Sequence, residues 1–268
     1  MIARQLPARH GLLWLVAGWA MLRRQPRQMF LLAGGYYFLL LILIRLLPLI
    51  GAFLLPLAFP ALMAMLGNGA RAIEGNRKLT LELLSEGLPA AKLSLLRLGG
   101  LHLAGSLLLL LVSIALGSEV RFDDGLTPEE TQELLGDLSL LLLAATPLLM
   151  AFWFAPLLVV WNGMPAVKAL FFSFVACWRN GRAFAVYGIA ILVVGILLPG
   201  VLLVVAGAIS QTLLGILAFM ARLVLVLVLG PILIVSVYVS WQDVFGASLL
   251  PAAQEPLPPV TETPPANE

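Results

Sequence analysis

Six apolar runs, each long enough to cross a bilayer as a helix, divide the chain. Crossing roughly 30 Å of hydrocarbon takes about 20 mostly apolar residues at a rise of about 1.5 Å each. The pattern predicts spanning helices at residues 29–47, 49–66, 98–116, 138–161, 184–209 and 213–239. Prolines inside these runs predict kinks rather than ends, because neighbouring groups satisfy the carbonyls that a proline leaves free. The predicted fold class is all-α: an integral membrane protein with six transmembrane helices in one domain, residues 1–246.

Two shorter apolar runs, residues 11–22 and 165–178, predict amphiphilic helices in the membrane interface. Both are too short to span a membrane, and arginines follow each of them. Trp14 and Trp19 are expected at headgroup level, where tryptophan is enriched in membrane proteins. The first run is not interpreted as a cleaved signal peptide, because charged residues rather than small ones follow it.

The polar segments between the runs differ in composition. Residues 70–97 mix basic and acidic side chains around a short helix predicted at 80–86. Residues 117–137 carry seven acidic side chains, and Thr127 and Pro128 resemble a capped helix start, which predicts a short helix to Leu135. Residues 247–268 hold six prolines and no basic residue, which predicts a disordered tail.

The basic residues are distributed in a pattern that predicts orientation. Residues 1–27 hold five of the 16 lysines and arginines, residues 67–97 hold five, and residues 161–183 hold three. With six spans these segments share one side of the membrane. Since lysine and arginine are enriched in cytoplasmic loops, both termini are expected in the cytoplasm.

A weak internal repetition indicates three related units, at about residues 10–75, 78–164 and 165–246. Similar segments at 30–34, 95–99 and 184–188 open the first, third and fifth spans, each shortly after basic residues. Each unit would be an interfacial helix followed by a membrane hairpin, running in the same direction as the others. Chance similarity in a leucine-rich sequence is the alternative explanation.

Composition excludes a water-soluble fold and leaves little material for catalysis. The chain is 61% hydrophobic and 11% charged, against about 45–50% and about 25% in soluble domains. The presence of one cysteine, Cys177, excludes an intramolecular disulfide and a cysteine-built zinc site. The two histidines are far apart in sequence and do not match the spacing of a His-rich metal site. No catalytic residues, cofactor, metal or nucleic-acid partner are therefore predicted.

Ionisable residues within the apolar runs are the candidate functional positions, and they form a predicted polar site of Arg222, Arg45 and His102. Arg222 lies either at the outer interface or within the membrane. In the second case, Arg222 and Arg45 would attract an anionic solute or lipid headgroup near the periplasmic face. Arg45 can instead extend its side chain to the interface, and His102 can simply bond a neighbouring carbonyl.

Four short segments are distinctive: PARHG at 7–11, AFWFAP at 151–156, KALFFS at 168–173 and WRNGRA at 178–183. In these segments the chain resembles an uncharacterised family of multi-pass inner-membrane proteins found mainly in beta- and gamma-proteobacteria. It covers nearly all of the chain except the acidic loop and the tail. It implies a location in the bacterial inner membrane and brings no known activity or catalytic residues.

A third class, an intramembrane enzyme, would need a nucleophile, a base or a metal-binding group of residues, and the sequence shows none of these. Two functions therefore remain open at this level. The first is a non-enzymatic scaffold or regulator of an envelope process, which the scarcity of polar residues in the spans favours. The second is a carrier or channel for a small anionic or lipidic solute, which the kinking prolines and Arg222 favour. The expected partners are the lipid bilayer and either anionic lipid or another membrane protein.

Overall fold

The computed structural model describes residues 3–115 and 128–246, and the regular structure within these ranges is helical. The helices, numbered along the chain, are α1 (His10–Arg24), α2 (Pro26–Leu46), α3 (Pro48–Glu74), α4 (Leu81–Leu84), α5 (Leu88–Ala115), α6 (Pro128–Asn162), α7 (Ala166–Arg179), α8 (Gly181–Leu192), α9 (Leu198–Ile209), α10 (Gln211–Val224) and α11 (Gly230–Phe245). The tail and most of the acidic loop lie outside the described residues.

Six helical segments are long and apolar enough to cross a membrane, which confirms the predicted all-α, multi-pass fold class. They are Pro26–Leu46, Ile50–Glu74, Leu88–Ala115, Gly136–Asn162, Gly181–Ile209 and Gln211–Phe245. Each contains one of the six predicted runs or most of it. The first two runs form one hairpin, the third and fourth belong to α5 and α6, and the last two form another hairpin.

The second spanning helix does not end at Gly67, Asn68 and Gly69, where the sequence predicted its end. A side chain at Gly67 would collide with Leu157, and one at Gly69 would collide with Leu32. These glycines therefore permit close helix packing and do not terminate α3, as is common in membrane proteins. The helix continues to Glu74.

The start of α6 also differs from the prediction. A short helix ending at Leu135 and a separate span from residue 138 were expected, but α6 is continuous from Pro128 to Asn162. The capping role predicted for Thr127 falls outside the described residues. Residues 128–135, about two helical turns, therefore extend the helix beyond its apolar span instead of forming a separate element.

Two π-helical turns precede prolines in the last hairpin. Val193–Leu197 ends two residues before Pro199, and Leu225–Leu229 ends two residues before Pro231. A proline lacks an N–H group and its ring crowds the carbonyl four residues earlier, and a widened turn accommodates both effects. Gly195 in the first turn faces the end of the second turn. Both helices therefore stay continuous through their prolines.

The tightly packed core lies at one end of the molecule, which we call the basic end. This end contains the links α1–α2, α3–α5, α6–α7 and α7–α8, together with the end of α11. Buried side chains include Ile73 of α3, Phe154 of α6 and Val235 of α11. Towards the opposite, far end burial falls away: Ala206 is the buried residue of α9, and α10 has none.

Each short helix packs mainly on a hairpin or long helix from a different predicted unit. Helix α4 contacts α3, α7 contacts α6, and α1 contacts α8 and α11. The third of these contacts joins the start of the chain to its last hairpin and closes a ring of three units. The same order of a short helix and a long pair occurs three times along the chain, and the common origin of the three units stays a prediction.

The packing of α1 corrects one part of the interfacial prediction. Gly11 lies against the backbone of α8 at Ala183, where a side chain would not fit. Trp14 is fully buried, whereas Trp19 is 45% exposed. Trp19 can therefore meet headgroups, but Trp14 cannot, because the protein core surrounds it.

Helix α7 is fixed to α6 by a hydroxyl inserted into the α6 backbone. Ser173 Oγ accepts from the Phe154 N–H at 2.9 Å and donates to the Met150 carbonyl at 2.8 Å. In an uninterrupted helix these two backbone groups would bond each other, and such insertions bend helices. The buried stripe of α7 therefore lies along α6, while Phe171 and Trp178 are exposed.

Candidate functional site

A buried polar cluster, the Asp243 cluster, occupies the centre of the basic end. It consists of Asp243, His10, Trp14, Asn180 and Arg4. Asp243 is fully buried in the last turn of α11, and its Oδ2 lies 2.6 Å from His10 Nδ1 and 3.0 Å from the donating Trp14 Nε1. A carboxylate near a helix C-terminus faces the negative end of the dipole, so a buried one needs such partners.

Arg4 and Asn180 complete this cluster through backbone groups. Arg4 Nη2 donates to the carbonyls of Gln242 (3.3 Å) and Asp243 (2.7 Å), which caps the C-terminus of α11. Asn180 Oδ1 accepts from the Leu6 N–H at 2.8 Å, and its Nδ2 donates to the Arg4 carbonyl at 2.9 Å. The N-terminal segment is thus bonded both to α11 and to the α7–α8 link.

A second polar group, the Glu74 cluster, lies nearby and is open to solvent. Glu74 Oε2 accepts from Tyr238 Oη at 2.5 Å and from Gln242 Nε2 at 2.7 Å. The Arg71 guanidinium lies 5.8 Å from the centre of the Trp161 ring, a cation–π distance. A pocket of about 340 Å³ lies beside these residues. Glu74 does not line this pocket, and its Oε2 already accepts from two donors that do, Tyr238 and Gln242.

Asn68 connects three further elements at the basic end. Its Nδ2 donates to the Leu84 and Glu86 carbonyls, each at 2.9 Å, and its Oδ1 accepts from Trp161 Nε1 at 2.7 Å. Because an amide has both donors and an acceptor, one buried side chain fixes α3, the segment after α4, and the end of α6.

Arg45 and Arg222 lie at similar distances along their helices towards the far end, but no hydrogen bond or ion pair of the described residues links them. Both side chains are exposed, and among the described residues neither makes a hydrogen bond or an ion pair. The hydroxyl of Tyr37 on α2 lies over Gly230 at the start of α11. Arg45 is eight residues beyond Tyr37, and Arg222 is eight residues beyond Gly230 towards the far end, or about 12 Å along each helix.

His102 lies apart from both arginines and satisfies a carbonyl that a proline leaves free. Its Nδ1 lies 3.1 Å from the Pro56 carbonyl, and its ring stacks on Phe59 with centroids 4.4 Å apart. Pro60 has no N–H, so the Pro56 carbonyl has no partner within α3. His102 supplies the missing donor. The prediction that these three residues form one functional site stays a prediction.

The lone cysteine is placed where it is chemically inert. Cys177 is buried at the contact between α7 and α6, and burial raises the pKa of its thiol. Since the thiolate is the reactive form, this environment favours a packing role. Within residues 3–115 and 128–246, no group of three or more metal-ligating side chains is close enough to hold a metal ion.

Asp243 was not among the predicted site residues, because it lies beyond residue 239, where the predicted sixth span ends. The helix instead continues to Phe245, and its final turn enters the core. One signal was available: no helix breaker occurs between residue 239 and Gly246, so the acidic residue lies within the helix. Its partners could not be inferred, since His10 is 233 residues away in sequence.

Comparison with known proteins adds one relative. Over 199 residues the chain is 33% identical to "Probable inner membrane protein BTH_II0599" of Burkholderia thailandensis, and the match covers 69% of this chain and 73% of that protein. No protein-family model matches the chain. No solved structure matches it.

Proposed function

We propose a function from the premise that the chain belongs to the same family as the probable inner membrane protein of Burkholderia thailandensis. It is a multi-pass membrane protein. We infer that it resides in a bacterial inner membrane and acts there as a non-enzymatic scaffold or regulator of an envelope process, with its helices as the contact surfaces for other membrane components.

The observation that carries this proposal is the uneven distribution of packing. The basic end is fixed by the Asp243 cluster and by Asn68, whose polar atoms are engaged in bonds between helices. In contrast, the far halves of the last hairpin expose apolar side chains such as Val204 (75% exposed) and Ile216 (55%). A rigid base that carries unpartnered apolar helices suits a protein that binds other membrane helices.

Photo-crosslinking in cells tests this proposal. A photoreactive amino acid is placed at Val204 or at Ile216. Both positions are expected to crosslink to one common partner protein, visible as one discrete increase in mass. The matched control is Ala176, which is fully buried and should give no intermolecular adduct. Adducts with lipid alone at both exposed positions would contradict the scaffold proposal.

Both termini are proposed to be cytoplasmic. The Arg4 N–H donates to the Val244 carbonyl at 3.0 Å, so the two ends of the described chain lie together at the basic end. The excess of lysine and arginine at this end supports a cytoplasmic location. Reporter fusions after Gly75, Asn180 and Gly246 should report the cytoplasm, and one after Asp124 the periplasm. A periplasmic signal at Asn180 would disprove this topology.

A second candidate function is the binding or transport of a small anionic or lipidic solute at the far end. The similar height of Arg45 and Arg222 on neighbouring helices supports it, because two exposed guanidinium groups attract phosphate and carboxylate. Arg45→Leu and Arg222→Leu should each reduce bound anionic lipid, whereas the corresponding lysine variants should retain most of it. Unchanged lipid in both leucine variants would eliminate this candidate.

A further inference from the structure

An apolar cleft between α2 and α3 lies near the basic end and has no role in the function proposed above. Its volume is about 380 Å³, within the range of roughly 300–1,000 Å³ that is typical of small-molecule sites. Leu31 and Leu39 of α2 line one wall, Leu62 and Leu66 of α3 line the other, and Leu81 of α4 contributes to the roof.

Gly35 keeps this cleft open. It lines the cleft, and a Cβ placed on it would meet no atom within 4 Å, so a side chain there would project into empty space. The neighbouring Gly34 has equally free surroundings, but it does not line the cleft. The two glycines therefore form a matched pair, of which Gly35 lines the cleft and Gly34 does not.

The depth of the cleft corresponds to the hydrocarbon of one leaflet. Its α2 wall, residues 31–39, lies about 8–20 Å along the helix from Pro26, at a rise of about 1.5 Å per residue. Residues 79–84 close the cleft at the basic end, and Thr80 caps their short helix by accepting from the Leu83 N–H at 3.3 Å. The cleft is thus lined mainly by apolar side chains, with hydroxyl groups on Tyr36 of the α2 wall and on Thr80 of the roof.

Basic side chains surround the roofed end. Arg77 and Lys78 are exposed and directly precede the roof, and Arg27 lies one helical turn before Leu31 on the same face of α2. None of the three forms an ion pair with another described residue. Glu82 is the acidic residue on the roof helix, so positive charge prevails. Such basic residues at a membrane surface favour anionic lipid.

We propose that this cleft holds one acyl chain of an anionic phospholipid from the leaflet at the basic end, with the phosphate of that lipid at Arg77 and Lys78. The apolar chain is surrounded by hydrocarbon whether it is free or bound, so shape selects it only weakly. Selectivity comes from the headgroup, and each basic residue near the surface contributes about a fivefold preference for an anionic lipid. This proposal does not depend on the scaffold function.

Native mass spectrometry of the full chain from nanodiscs tests the proposal. The nanodiscs contain equal amounts of dioleoyl phosphatidylglycerol and dioleoyl phosphatidylcholine. The wild-type protein should retain one phosphatidylglycerol molecule in excess of the bulk ratio. Gly35→Leu should reduce the number of retained lipid molecules by one, because its side chain fills the cleft, whereas the control Gly34→Leu should retain the lipid. Leu62→Phe fills the cleft from the opposite wall and serves as a second test if Gly35→Leu folds poorly.

Two further measurements separate the chain from the headgroup. Replacing Arg77 and Lys78 with glutamine should lower the phosphatidylglycerol preference by about 25-fold, while one lipid of either type remains bound. Added inorganic phosphate should not displace the lipid, because a free anion has no acyl chain; displacement would overturn the proposal in favour of a simple anion site. Equal retention by Gly35→Leu and the wild type, or an absence of phosphatidylglycerol preference in the wild type, would also overturn it.

Discussion

Replacing Asp243 with alanine tests whether the Asp243 cluster holds the start and the end of the chain together. The substitution removes the acceptor of two buried donors, His10 Nδ1 and Trp14 Nε1. A buried donor left without a partner costs about 1–3 kcal/mol, so the two together cost about 2–6 kcal/mol.

The assay is reversible unfolding of the purified protein in mixed micelles with increasing SDS, followed by far-UV circular dichroism. Asp243→Ala should lower the free energy of unfolding by about 2–6 kcal/mol. Asp243→Asn keeps one oxygen that can accept from both donors, so it should lose less than Asp243→Ala. Trp14→Phe removes one donor while it preserves most of the ring packing. In a Trp14→Phe background, Asp243→Ala should therefore lower the free energy of unfolding by about 1–3 kcal/mol less than it does in the wild type.

Two results would refute this reasoning. A loss of less than about 0.5 kcal/mol for Asp243→Ala is what surface substitutions show, and it would mean that the carboxylate is not buried among its donors. Strict additivity of Asp243→Ala and Trp14→Phe would mean that the two side chains do not interact. Either result would remove the physical basis for a chain closed between α1 and α11.

Three further outcomes are expected. Gly11→Ala should destabilise the protein by about 1–3 kcal/mol, because the new Cβ overlaps the backbone of α8. The control Gly34→Ala places its Cβ in open space and should be neutral or stabilising by up to about 1 kcal/mol. Equal losses of stability in the two variants would contradict the contact between Gly11 and α8. His102→Phe should lower the free energy of unfolding by about 1–3 kcal/mol. The loss should be much smaller in a Pro60→Ala background, because the restored N–H can bond the Pro56 carbonyl. An equal loss in both backgrounds would exclude His102 as the donor to that carbonyl. Cys177 should resist maleimide labelling at neutral pH and react only after unfolding, since burial raises its pKa; rapid labelling of the folded protein would show that it is accessible.

The predicted end of the second span, just before residues 67–69, was wrong, because the conformational preferences of neighbouring residues do not decide where a helix ends in a packed membrane protein. In an isolated stretch, two glycines around an asparagine indicate a helix end. In the structure the same residues let Leu157 and Leu32 pack closely against α3, and Asn68 bonds groups on two other segments. The meaning of a small or polar residue in a spanning helix therefore depends on its neighbours in space.

The number of spans and the fold class were determined by the sequence itself, because the hydrocarbon thickness sets a length and a polarity that any spanning segment must satisfy on its own. The candidate site could not be determined in this way. The contacts of Asp243 with His10 and of Asn180 with Leu6 join residues 233 and 174 positions apart. Which polar side chains are buried, and what each of them bonds, was decided only when the helices packed together, because buried polar groups are tolerated only where distant partners meet them.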